Sequence, residues 1–462
     1  MLKEAQPDSG KLEQWDKKYI WHPFTQMRDW LKDDPLIIEG GEGSYIKDIN
    51  GKWYLDGVSS LWVNLHGHRK KELDEALRKQ INKISHSTLL GLSNKPAIEL
   101  AKLLIGIAPG KLKKVFYSDS GSTAVEIALK MTFQYWQQKS SAARSKTKFI
   151  RFVNAYHGDT LGAVSVGGID LFHQVYHPLL FKSFKVSSPY CYRCHLDLKY
   201  PACGLKCLEE TERILKKHHQ DIAGLIIEPM VYAAAGILTQ PPGFLKKVER
   251  LCKKYNVLLI CDEVATGFGR TGKMFACEKE RVGPDILCLA KGITAGYLPL
   301  AATLTTQKIF DGFLGEYKDK KAFFHGHTYT GNPLACSVAI ASLEIFKKEK
   351  VLSRLQSKIK ELQKGLKRFI NLAHVGEVRH CGFMAGIELV KDKKSKISYR
   401  FEDKIGIKVY REARKYGIIL RPLGNVIVLM PPLSISLEEL NQLLKTTYQA
   451  IKMVTENENG KV

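Results

Sequence analysis

Short apolar runs separated by stretches of helical periodicity dominate the middle of the chain. Residues 114–118 read as a strand. Residues 123–138 then carry apolar side chains at Val125, Ile127, Ala128, Met131 and Tyr135, the spacing of a helix face. Further apolar runs lie at 149–153, 224–227, 257–261 and 286–289, with a helical pattern over 244–255 between two of them. Strands of this kind alternating with helices predict an α/β fold whose sheet is mostly parallel and covered on both faces.

The flanks differ. The first 70 residues are rich in aromatic and turn residues, and the alternation after Gly43 predicts a small hairpin. Helical periodicity begins near Lys70 and returns over 96–107. After Gly331-Asn332-Pro333 a long helical stretch runs from Leu334 to about Ile370. A smaller α+β pattern follows at 382–388, 405–415 and 417–421. The expected organisation is an N-terminal segment (1–70) contributing to a small domain, a large domain (71–335), and a C-terminal small domain (336–462). No internal repeat is present, and the polar C-terminal tail is expected to fray.

Composition narrows the picture. Of 462 residues, 44% are hydrophobic and 26% charged, the balance of a soluble globular protein. Residues 1–10 lack the apolar core of a secretory signal, and no apolar run approaches the ~20 residues of a membrane span. A cytoplasmic protein without a membrane partner is expected. The formal net charge of +24 raises nucleic-acid binding, but the lysines are spread along the whole length and no nucleic-acid motif accompanies them. Four of the ten cysteines, Cys252, Cys261, Cys288 and Cys336, sit inside apolar runs and read as buried thiols. Cys191, Cys194, Cys203 and Cys207 have the spacing of a metal staple. A zinc-holding surface loop and a set of free thiols are both open at this level.

Two strand ends carry the chemistry. The run 257–261 ends on Asp262, and the run 286–289 leads into Lys291-Gly292. Either residue alone is unremarkable after a strand. Together, an amine and an acid at neighbouring strand ends suit the two ends of pyridoxal phosphate. The lysine forms a Schiff base with the aldehyde, and the carboxylate holds a proton on the ring nitrogen. A buried lysine loses hydration, which favours its neutral, nucleophilic form. Ser118 to Thr123, with Gly121 and Ser122, follows a strand and opens a helix, so it is either a phosphate cradle or an ordinary helix cap. Tyr156 follows the next strand, where an aromatic can stack on a planar ring or pack in a turn. The segment from His325 to Pro333, with Gly326, His327 and Thr328, is a glycine-containing polar turn before a helix.

These segments resemble the class III aminotransferases of the fold type I pyridoxal phosphate enzymes. The similarity runs from Trp21 to about Pro432, and the pair formed by Asp262 to Gly272 and Ala290-Lys291-Gly292 is its most specific part. The resemblance implies a large domain with a seven-stranded sheet, a smaller α+β domain, and a homodimer whose subunits share the active site. It implies Lys291, Asp262 and Tyr156 in catalysis. Gly121, Ser122, His327 and Thr328 would hold the cofactor, with Thr328 supplied by the second subunit. Phe24, Leu61, Trp62, Gly326, Arg421 and Arg270 would meet the substrate.

The segments around Trp21-His22-Pro23-Phe24 and Leu420 to Gly424 narrow the implied reaction to amination of 8-amino-7-oxononanoate, with S-adenosylmethionine as donor. Two departures favour lysine as an alternative donor. Tyrosine is usual where this chain has Phe24, and tryptophan where it has Leu61. After Glu228-Pro229, Met230 to Gly236 replaces the usual glutamine and glycines. Another ω-amino-acid aminotransferase is the remaining alternative.

Overall fold

The computed structural model describes residues 9–139 and 141–456. The expectations of no leader and of a frayed tail fall largely on residues 1–8 and 457–462, outside the described residues. Seven strands form the central sheet: β1 (Leu112–Ser118), β2 (Lys148–Phe152), β3 (Phe184–Val186), β4 (Ile222–Ile227), β5 (Leu258–Asp262), β6 (Ile286–Leu289) and β7 (Ala301–Thr306). Their spatial order is β1-β7-β6-β5-β4-β2-β3. β3, β2, β4, β5 and β6 are mutually parallel. β7 runs against both its neighbours, β6 and β1.

Strand pleating sorts the core. Every residue of β4, β5 and β6 is buried. Successive side chains point to opposite faces of a sheet. Leu258, Ile260, Ile286 and Cys288 therefore pack on one face with Ala124, Ile127 and Ala128 of helix α1 (Gly121–Lys139). Leu259, Cys261, Leu287 and Leu289 pack on the other, with Leu245 and Val248 of helix α2 (Phe244–Lys254). Burial on both sides is why these strands carry no polar side chain except Asp262 at the end of β5.

Two strands carry a weaker signal. β7 reads Ala-Ala-Thr-Leu-Thr-Thr, yet Thr303 and Thr305 are buried, and the Thr303 hydroxyl donates to the Ala124 carbonyl at 2.8 Å. β3 is a three-residue edge strand with an exposed lysine at its centre. The expected long helix after Pro333 is two helices, α3 (Pro333–Lys348) and α4 (Val351–Leu366). Lys350 lies between them at φ +51°, a conformation that a right-handed helix cannot contain.

Near the N-terminus, strands Ile38–Glu42, Tyr45–Asp48 and Trp53–Asp56 form an antiparallel meander, and Ile418–Ile419 adds to its edge in parallel. A separate antiparallel sheet contains Val375–Cys381, Met384–Asp392, Val426–Leu429 and Arg421–Leu423, with Ile397–Ser398 on its margin. Among the described residues, no helix is long and apolar enough to cross a membrane.

Candidate functional site

Register alone brings three charged side chains together. Ile227 of β4 pairs with Cys261 of β5, and Asp262 pairs with Cys288 of β6. Glu228, Asp262 and Lys291 therefore emerge at the same carboxyl edge of the sheet, where α/β folds bind ligands. There they line a cavity of about 390 Å³ with Trp62, Gly121, Ser122, Tyr156 and His157.

Asp262 is buried. Its Oδ2 is 2.7 Å from Nδ1 of the equally buried His157, and its Oδ1 accepts the Val264 N–H at 3.0 Å. Burial lowers the pKa of the Lys291 ammonium, while the charges of Asp262, Glu228 and Asp159 pull it partly back up. Its Nζ lies 5.5 Å from the Trp62 ring centroid. Lys291 sits at φ +45°, an uncommon conformation for a side-chain-bearing residue and one that recurs at functional sites.

The approach to Lys291 is more unusual still. Ser59, Ser60, Leu61 and Trp62 have φ of +53°, +46°, +72° and +73°. Left-handed L-residues cost about 1–2 kcal/mol each and normally occur singly. This turn buries Trp62 against the cavity and leaves Leu61 47% exposed.

The phosphate cradle expected at Gly121 and Ser122 opens the 19-residue helix α1. A Cβ on Gly121 would sit 2.6 Å from Val264, so no side chain fits there. Gly158, at φ +116°, presses against Ser122, and a Cβ there would fall 1.9 Å from its Oγ. That Oγ accepts the Asp159 N–H at 3.2 Å. Two backbone loops thus close on the helix N-terminus, where free N–H groups and the helix dipole favour an anion.

The residues fit pyridoxal phosphate. The amine, the acid and the helix N-terminus all line one cavity. The His157 Nε2 is buried without a hydrogen-bond partner among the described residues, which suits a polar ligand atom.

Tyr156 reaches the cavity. Its hydroxyl donates to Asp159 Oδ2 at 2.7 Å, burial raises its pKa, and its ring stacks near His173 at 6.3 Å. Phe24 is 59% exposed, with its ring edge-on to Phe172 at 5.3 Å. His327 lies 3.5 Å from Asp119, which also lines the cavity. Gly326, Thr328 and Arg421 are exposed and do not line the cavity of this one chain. Arg270 is elsewhere. Its guanidinium is fully buried and donates to the carbonyls of Pro431 and Asn64 at 2.6 and 3.0 Å, and burial lowers its pKa to about 9. It clasps backbone and does not face the cavity.

Of the two readings open for the cysteine loop, a zinc staple and a set of free thiols, the geometry favours the second. Among the described residues no group of three or more His, Cys, Asp or Glu is arranged to hold a metal ion. Cys191, Cys194, Cys203 and Cys207 line one small hollow but are free thiols. Burial raises the pKa of Cys191, and that of Cys207 to about 11.

Two residues escaped the sequence reading. Glu228 ends a buried strand as Asp262 does, so the same rule would have found it. Its oxygens accept the N–H groups of Tyr156 and Ala233, both at 2.9 Å. His157 looked like part of a turn, and only the fold brings it to Asp262.

Comparison with known proteins agrees with this geometry. The aminotransferase class-III family matches residues 29–451. The adenosylmethionine-8-amino-7-oxononanoate aminotransferase of Geobacter sulfurreducens is 55% identical over 97% of this chain and 99% of its own length. Its namesake from Aquifex aeolicus is 54% identical over 96% of this chain and 98% of its own. The crystal structure of the enzyme of that name from Methanocaldococcus jannaschii superposes with a TM-score of 0.92 at 50% identity, covering 96% of this chain and 99% of that one. An omega transaminase from Pseudomonas jessenii, solved in complex with PMP, also gives 0.92, at 33% identity over 96% and 98% of the two chains.

Proposed function

This chain belongs to the class III aminotransferases, pyridoxal phosphate enzymes that move amino groups, and from that premise we propose that it aminates the keto carbon of 8-amino-7-oxononanoate to give 7,8-diaminononanoate for biotin synthesis. S-adenosylmethionine is the proposed donor. The names of relatives more than half identical over nearly their full lengths support this substrate pair. The observation that carries the reading is the convergence of Lys291 and Asp262 on one cavity that also meets the N-terminus of α1.

When bound, pyridoxal phosphate supplies an aldehyde carbon that carries amino groups and a protonated ring that withdraws electrons from them. The chain's own residues do the rest. Lys291, its basicity reduced by burial, presents the Nζ that would take a proton from a substrate carbon and return it. Asp262, oriented by His157 and the Val264 N–H, would meet the ring nitrogen. Gly121 and Ser122 would hold the phosphate at the helix N-terminus. Trp62 and Tyr156 wall the cavity and exclude water.

The exposure of Gly326 and Thr328 supports a homodimer in which this turn reaches the cavity of the partner subunit. Arg421 is proposed to pair with the substrate carboxylate from the cavity mouth. Lysine as donor is a second reading, favoured by one observation: Phe24 lacks a phenol hydroxyl and Leu61 a large ring, so neither offers what would hold a bulky adenosyl group. Single-turnover loss of the cofactor's aldehyde absorbance with each donor separates the two. Conversion by S-adenosylmethionine alone supports the first reading, and conversion by lysine alone overturns it.

A further inference from the structure

The left-handed turn that delivers Trp62 needs an anchor, and Asp56 has the contacts of one. It is the last residue of strand Trp53–Asp56 and is fully buried. Its Oδ1 accepts the N–H groups of Val58 and Ser60 at 3.3 and 3.0 Å. Its Oδ2 accepts the Ser60 hydroxyl at 2.8 Å and faces His68 Nε2 at 3.1 Å. Burial pushes its carboxyl up, but the bonds from His68 and Ser60 outweigh this and hold it below the usual range. The start of the turn is pinned to its surroundings. The Ser59 hydroxyl donates to the Met430 carbonyl at 2.6 Å, and the Gly57 N–H donates to the Ile419 carbonyl at 3.0 Å.

The turn's handedness decides which side chain enters the cavity. A right-handed turn from the same start would rotate the opposite way and carry the indole away from Lys291. Asp56 itself does not line the cavity, so it has no direct contact to offer a ligand. Four contacts on one carboxylate, two of them to Ser60 within the turn and one to Val58 just before it, mark where the unfavourable backbone is compensated.

We propose that Asp56 is a positioning residue for the amino-transfer reaction: by capping the left-handed turn Ser59–Trp62 it holds the Trp62 indole against Lys291 and so shapes the substrate side of the cavity. This rests on the reading of the cavity as the aminotransferase site. His68 braces the same carboxylate from the opposite side of the turn.

A double-mutant cycle tests it in the full-length enzyme, with Asp56→Asn, Trp62→Phe and the combined variant. Two readouts are taken: KM and kcat for the amino acceptor, and the near-ultraviolet circular dichroism of the apoenzyme, in which Trp62→Phe identifies the Trp62 contribution. Asp56→Asn, which keeps an acceptor for the two N–H groups but loses the Oδ2 contacts to the Ser60 hydroxyl and His68, should weaken that contribution without any cofactor present and raise KM about tenfold, with a smaller change in kcat. The double variant should be no worse than the poorer single one, because both act through the same ring. Effects on KM that multiply would overturn the proposal, as would an unchanged Trp62 signal in Asp56→Asn. If Asp56→Asn does not fold, Ser60→Ala decides, since it removes only one bond to Oδ2. A weakened Trp62 signal with raised KM supports the proposal, and wild-type values for both overturn it. Trp62→Phe with wild-type KM would instead fail the cavity reading, and the inference with it.

Discussion

Asp262 Oδ2 lies 2.7 Å from His157 Nδ1 inside the protein, and that contact organises the acid end of the site. With the Asp262 carboxylate as acceptor, His157 donates from Nδ1 and leaves its Nε2, buried and unpartnered among the described residues, for a ligand. Without the imidazole, Asp262 keeps only the Val264 N–H. A hydrogen bond to a charged group is worth about 1.5–3 kcal/mol. His157→Ala should therefore lower kcat by about 10- to 100-fold and weaken cofactor retention. Steady-state kinetics and titration of the apoenzyme with pyridoxal phosphate measure both. Wild-type values for both would remove His157 from the site.

Glu228 predicts a pH dependence. Burial, the largest influence, pushes its carboxyl up to about 7. His157 and the N–H groups of Tyr156 and Ala233 oppose that, and Asp262 adds to it. The unfolded chain releases this proton near 4.5. Between those values the folded protein holds a proton that the unfolded chain has lost. The stability linked to Glu228 is therefore fully present below about 4.5 and is lost as pH rises through 7. The effect amounts to about 2–3 kcal/mol. Denaturant unfolding of wild type and Glu228→Gln should show the wild-type advantage shrinking by that amount from pH ~5 to ~8. A difference independent of pH would contradict it.

Gly158 should tolerate no side chain. It combines φ +116° with a Cβ position 1.9 Å from Ser122 Oγ. Gly158→Ala must displace Ser122 from the helix N-terminus. The expected result is a loss of pyridoxal phosphate affinity of at least about tenfold, with backbone strain of about 1–3 kcal/mol lowering the thermal midpoint. Apoenzyme titration and thermal melts check this, and unchanged affinity would separate Ser122 from phosphate binding.

Donor choice should respond to Phe24 and Leu61. Phe24 is exposed and in edge contact with Phe172, so a hydroxyl fits there without repacking. Phe24→Tyr with Leu61→Trp should raise the ratio of kcat/KM for S-adenosylmethionine over lysine by about tenfold. An unchanged ratio would remove both residues as donor determinants.

The sheet was largely legible in the sequence because β4, β5 and β6 are apolar along their length, with Asp262 the single polar side chain at the end of β5, the pattern of a strand covered on both faces. β7 was not, because threonines that are buried and bonded to backbone carry no apolar signal. Lys291 and Asp262 were legible as a pair: an amine and an acid following two buried runs suit the two ends of one cofactor. His157 and Asp56 stayed hidden because their partners depend on long-range packing and on a turn whose handedness no propensity foretells. Arg270 misled, since an arginine beside a site motif reads the same whether it meets a carboxylate ligand or two backbone carbonyls.

Lys291 and Asp262 are proposed to address opposite ends of one cofactor. The decisive experiment is borohydride reduction of the enzyme loaded with pyridoxal phosphate, followed by peptide mapping. A single phosphopyridoxyl label is expected on Lys291, absent in Lys291→Ala and much reduced in Asp262→Ala. A label on another lysine, or none in the wild type, would contradict it.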